Sequence, residues 1–158
     1  MNNYFFKQEK VIELLNKIQK DLKDKSKILK KAFELDYKEW EIRIESEKLI
    51  KILENIKSQE YLPKFSKQEI VGGIGKIALI NSSNPYMIFN FILSCIYTNN
   101  RVTIILEEKM LASNKVLIEL VKKSLEDLKY DSSIIEYKEV TNKEEFISYQ
   151  NYFDLLYY

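Results

Sequence analysis

The sequence predicts an α/β protein. A helical segment over residues 1–60 precedes a Rossmann-like parallel sheet over 66–158, with about four strands and helices on both faces, in one compact unit. Three observations predict this. Up to residue 57, apolar side chains recur at the three- and four-residue spacing of amphipathic helices. Beyond Tyr61-Leu62-Pro63 that spacing gives way to short runs rich in Ile, Val and Leu. Those runs then alternate with helical stretches, and short apolar strands joined by helices pair in parallel with both faces covered.

Val11, Leu14, Leu15, Ile18 and Leu22 give a first helix its buried stripe. Ser26 is placed to cap a second, short helix carrying Ile28, Leu29, Ala32 and Phe33. Asp36, with Glu39 three residues later, has the form of a capping box for a third helix. That helix would bury Trp40, Ile44, Leu49, Ile52, Leu53 and Ile56. "GKIALI" (75–80) follows a glycine-rich turn and reads as the first strand. Residues 85–98 read as a helix that is apolar on every side. "RVTIIL" (101–106) is a second strand, rich in β-branched residues. An amphipathic helix over 110–129 buries Val116, Leu117, Leu120, Val121, Leu125 and Leu128. "SIIEYKEV" (133–140) is a third strand, 143–150 a helix, and "FDLLYY" (153–158) a fourth strand.

Composition excludes several function classes. A hydrophobic fraction of 46% supports a core, and a net charge of +1 provides no bulk field for nucleic acid or an anionic membrane. No apolar run is long enough to span a bilayer, and "MNNYFFKQEK" lacks the features of a signal peptide. With 1 Cys there is no internal disulfide framework, and the chain reads as cytoplasmic. Histidine is absent, which removes imidazole as base or ligand; no Ser-His-Asp site and no metal centre is expected.

Few stretches carry chemistry. "VGGIGK" (71–76) has the wrong spacing for a phosphate loop and precedes a strand instead of following one, so it reads as a turn. Cys95 lies within "MIFNFILSCIY" and reads as a small buried hydrophobe. Asn84-Pro85 joins the favoured N-cap to the favoured first helical residue. The same residues would set the Asn84 amide and free helix N–H groups at the carboxyl edge of the first strand, where such donors suit an oxyanion or a phosphate. Glu107 and Glu108 end the second strand, where an acid can accept from ribose hydroxyls and repel a 2′-phosphate, although the residues by themselves favour a plain charged loop. The aromatics of "ISYQNYFDLLYY" read as core or interface, since no basic stripe accompanies them.

Several of these segments together resemble the first part of the cofactor domain of the aldehyde dehydrogenase superfamily. They are Gly75 with its strand, "NSSNP" where that family has a T-T-N-P-like turn, "TNNRVTII", Ser113 with the helix after it, "DSSIIEY" and "FDLLYY". The branch most similar is that of CoA-acylating aldehyde dehydrogenases, γ-glutamyl phosphate reductase and acyl-CoA reductase. The resemblance implies a dinucleotide site without the usual glycine fingerprint, with NAD favoured over NADP. It implies Asn84 as a donor to the thioester oxyanion, and Ser82, Ser83, Glu107, Glu108 and Ser113 near the cofactor. It also implies a catalytic cysteine in a second domain, which Cys95 does not match. The chain therefore reads as a fragment or truncated relative of an NAD(P)-dependent aldehyde or acyl-CoA oxidoreductase, able at most to bind nucleotide by itself. The implied partner is the missing catalytic domain or a second copy. The competing reading is a non-catalytic α/β module whose exposed sheet edge and helical arm bind a partner or self-associate. An unrelated small α/β protein is a third.

Overall fold

The computed structural model describes residues 8–38, 47–51, 53–55, 75–80, 84–106, 111–140, 142–150 and 152–157. The apolar stripe of the first helix, α1 (Gln8–Asp24), is fully used: Leu14, Leu15 and Ile18 are buried. α2 (Ser26–Asp36) follows after one residue, Lys25. Ser26 is the first helical residue, not the cap; Lys25 holds the cap position without a side-chain bond. The chain only bends here, because Lys25 N–H still reaches Asp21 O and Lys25 O still accepts from Ile28 and Leu29. No side chain is needed to satisfy a broken turn. Residues 47–51 and 53–55 form α3, which buries Leu49 and Leu53. Trp40, Ile44, Ile52 and Ile56 lie outside the described residues, as does Glu39.

The second half alternates as expected: β1 (Lys76–Ile80), α4 (Pro85–Tyr97), β2 (Arg101–Leu106), α5 (Ala112–Asp127), a 3₁₀ turn (Ser132–Ile134), β3 (Ile135–Glu139), α6 (Lys143–Gln150) and β4 (Leu155–Tyr157). The 4 strands are parallel in the order β3-β2-β1-β4. Strand order therefore reverses between β1 and β4, which makes that junction the topological switch point of a doubly wound sheet.

The pleat divides the apolar residues between two cores. Ile77, Leu79, Val102, Ile104 and Ile135 face α1, α4 and α5 in the larger core. Ala78, Ile80, Ile105 and Val140 form a smaller cluster with Tyr149 and Phe153. Each large side chain moved from water into these cores contributes about 1.5–3 kcal/mol. α4 is less enclosed than its sequence predicts: Met87 is 43% exposed and Ser94 is exposed, while Ile88, Phe89, Ile92 and Leu93 are buried. Its apolar outer side is a consequence of composition, not of contact on every side.

Local features fix the strand starts. α4 and α5 both end in a left-handed residue, Asn99 (φ 58°) and Lys129 (φ 60°). In each case the next N–H returns to the helix, Asn100 to Cys95 O at 2.8 Å and Tyr130 to Leu125 O at 2.9 Å. These are helix stops of the Schellman kind. Asn100 then ties β2 to β1: its Oδ1 accepts from Gly75 N–H at 3.0 Å, and its Nδ2 donates to Thr98 O and Oγ1. Gly75 has φ +134°, and a Cβ there would collide with the Asp154 carboxylate, which accepts from Lys76 N–H at 2.7 Å.

Candidate functional site

Parallel strands and returning helices bring the N-termini of α4 and α5 to the carboxyl edge of the sheet, the edge where open α/β folds bind ligands. Asn84 stands at the first of these ends. It is exposed, and its Oδ1 accepts from Tyr86 N–H at 2.9 Å and Met87 N–H at 3.2 Å. Its backbone carbonyl accepts from Ile88 N–H at 3.1 Å. Pro85 has no N–H. The first turn of α4 thus has no backbone donor to spare, and the expectation of free helix N–H groups at this end is not met. The reason is local: the cap that makes Asn-Pro a good helix start uses the donors an anion would need. The Asn84 Nδ2 group remains, because capping engages only the amide oxygen.

The second end is closed from a distance. Asp36, the last residue of α2, accepts from Ala112 N–H at 3.3 Å and from Ser113 N–H at 2.6 Å. Sequence reasoning placed Asp36 as a cap, but for the helix that follows it in the chain. Its carboxylate instead caps α5, 76 residues away. A carboxylate at a helix N-terminus is favoured by both the open N–H groups and the helix dipole. Ser113 is completely buried, and its Oγ has no hydrogen-bond partner among the described residues. Asn114 beside it is also buried.

Of the residues singled out from sequence, the structure brings Asn84 and Ser113 to the carboxyl ends of adjacent strands. Ser82, Ser83, Glu107 and Glu108 lie outside the described residues. At this edge the Asn84 Nδ2 is the donor that the described capping bonds leave to an anion. The Asp36 carboxylate went unrecognised as part of this edge; its acidic character was visible, its partner was not.

No thiol nucleophile is available. Cys95 is 4% exposed, and burial pushes its pKa up to about 12. Among the described residues no group of three acidic or cysteine side chains could hold a metal ion, and no helix is long and apolar enough to cross a membrane. A cleft of about 430 Å³ lies at the opposite, amino edge of the sheet, away from these residues.

No protein-family model and no curated protein matches the sequence. Among solved structures the chain is similar to γ-glutamyl phosphate reductase from Thermotoga maritima, with a TM-score of 0.65 and 19% identity. The match covers 98% of this chain and 44% of that one, so the chain spans less than half the length of that enzyme. At this identity the likeness is one of fold. It includes the helical segment as well as the sheet, and it bears out the fold that the resemblance to the aldehyde dehydrogenase superfamily implied.

Proposed function

We propose that the chain is the nucleotide-binding part of an NAD(P)-dependent aldehyde or acyl-CoA oxidoreductase, and that by itself it binds nucleotide without catalysing a reaction. The observation that carries this reading is the geometry of the carboxyl edge: β1 leads to a capped helix whose Asn84 amide keeps a donor beside a topological switch point. The fold shared with γ-glutamyl phosphate reductase supports it. The single, buried cysteine offers no nucleophile for acyl transfer, so the chemistry would belong to another polypeptide segment. A cytoplasmic setting belongs to the same proposal.

Titrating the full chain with NAD and with NADP, followed by calorimetry or NMR, tests it. Saturable binding in the millimolar range or tighter is expected, with NAD preferred, and Glu107→Ala should weaken NAD. Absence of binding by either nucleotide removes the proposal; an unchanged affinity in Glu107→Ala removes only the ribose assignment.

One observation favours a second reading, a non-catalytic module that self-associates or binds a protein. β4 is one of the two outer strands, β3 being the other, and among the described residues it pairs only with β1. An open edge invites strand addition. Light scattering distinguishes the two, because a strict monomer that binds NAD leaves the module reading without support.

A further inference from the structure

The two helix starts at the carboxyl edge are capped in different ways. α4 has Asn84, next to it in the chain. At α5, Leu111 holds the cap position and makes no side-chain bond. Lys115 N–H returns to Leu111 O at 3.1 Å, so α5 opens with the N–H groups of Ala112, Ser113 and Asn114. The Asp36 carboxylate, brought by α2, accepts from the first two at 3.3 Å and 2.6 Å. Backbone donors at a helix start suit a phosphate. Here a carboxylate of the protein's own stands in that place.

Its surroundings set it apart from the other buried acids. Asp21 and Asp127 each meet a lysine, whereas Asp36 has no ion pair among the described residues. What opposes its charge is the dipole of α5. Asp36 is half-buried, so solvent still reaches it. Ser113 at the same helix start is completely buried, and its hydroxyl has no hydrogen-bond partner among the described residues. A polar group is thus buried there beyond those that the cap engages.

Position gives the carboxylate a consequence. α5 is the helix that follows β2. In dinucleotide folds the region after the second strand is where a ribose 2′-hydroxyl is told from a 2′-phosphate, and an acid there favours the hydroxyl. Glu107 and Glu108 lie outside the described residues, but Asp36 is an acid that the structure does place at this edge.

We propose that Asp36 is a specificity-determining residue, whose carboxylate keeps a ribose 2′-phosphate from the head of α5 and so makes the chain select NAD over NADP. The inference rests on the nucleotide reading of this edge and adds the residue that chooses between the two cofactors.

Calorimetry on the full chain tests it, with NAD and NADP and with the probe pair AMP and adenosine 2′,5′-bisphosphate, which differ only in the 2′-phosphate. The unaltered chain should prefer NAD, and AMP over the bisphosphate. Asp36→Asn keeps a capping oxygen and loses the charge. It should tighten NADP and the bisphosphate about tenfold and leave NAD within about twofold, a gain that neither misfolding nor a purely structural cap produces. Glu34→Gln, at an exposed position on the same helix, should leave the NAD to NADP ratio unchanged. A ratio unchanged in Asp36→Asn overturns the inference while the nucleotide reading stands. So does an equal shift in Glu34→Gln, which would assign the effect to net charge, or a gain for NADP without one for the bisphosphate. An unaltered chain that binds NADP as tightly as NAD overturns it as well. If neither cofactor binds, the nucleotide reading fails and the inference falls with it.

Discussion

Asp21→Ala is the substitution whose outcome follows most directly from the structure. Asp21 is 6% exposed in α1, and both its carboxylate oxygens lie 2.7 Å from Lys17 Nζ. Ser124 Oγ, completely buried in α5, donates to Asp21 Oδ2 at 2.7 Å. Lys17 also reaches Asp127 at 2.9 Å, and Asp127 in turn pairs with Lys123 at 2.9 Å. The group therefore joins the helical segment to the helix that packs on the sheet. A hydrogen bond to a charged group is worth about 1.5–3 kcal/mol, and breaking a fully buried pair costs about 3–5 kcal/mol. Lys17 is partly exposed and keeps Asp127, so the lower part of that range applies. We expect Asp21→Ala to lose about 2–3 kcal/mol in urea unfolding, with an unchanged slope, and to lower Tm by roughly 5–10 °C. A loss below about 0.5 kcal/mol would class Asp21 with ordinary surface ion pairs and refute the reasoning.

The same group predicts an acid limb. Burial pushes the Asp21 carboxyl up, but hydrogen bonds from Lys17 and Ser124 outweigh it and the net direction is down. Lys17 and Lys123 hold Asp127 at about 2, below its ordinary value of 3.8. Carboxyls lowered in the folded state stabilise it above their unfolded value and lose that contribution as pH falls through the folded one. Stability should therefore decline between about pH 4 and pH 2, and Asp21→Ala should flatten that decline; a parallel curve in the variant would assign the acid limb elsewhere. Gly75→Ala should cost about 2–3 kcal/mol by urea unfolding, from a backbone angle unsuited to a Cβ and from collision with Asp154; a loss under ~0.5 kcal/mol would contradict that geometry. Asn84→Ala should lose about 1 kcal/mol of cap energy while Asn84→Asp keeps it, since a carboxylate also accepts from Tyr86 and Met87; equal losses in the two would remove the cap. Cys95 should react with a thiol reagent only as fast as the chain opens, and rapid labelling in native buffer would contradict its burial.

Hydrophobic period was enough to read the alternation in the second half of the chain. Ile77 and Leu79 against Ala78 and Ile80, for example, fall on opposite faces by the pleat alone, and β2 and α6 start and stop where their residues indicate. Asn84 was legible because capping is local, set by an amide and the two N–H groups just after it. That the same capping leaves no donor for a ligand was equally implicit, but only bond geometry makes it plain. What could not be read were matters settled by distant neighbours. Ser26 looks like a cap until the bend at Lys25 keeps the helical hydrogen bonds running through it. Ser113 looks like a loop-side hydroxyl until α2 covers it. The cleft residues are spread from Lys76 to Phe153, and no run of sequence announces that they meet.

The bond from Asp36 to the start of α5 bears on how the protein can be divided. A sheet domain excised at about residue 60 would look reasonable from composition, since that is where helical spacing ends. It would expose two backbone donors at the head of a 16-residue helix and strip the stripe of α1 from the larger core. Residues 8–36 thus supply contacts that the later elements use, the apolar stripe of α1 in the larger core and the Asp36 carboxylate at the head of α5.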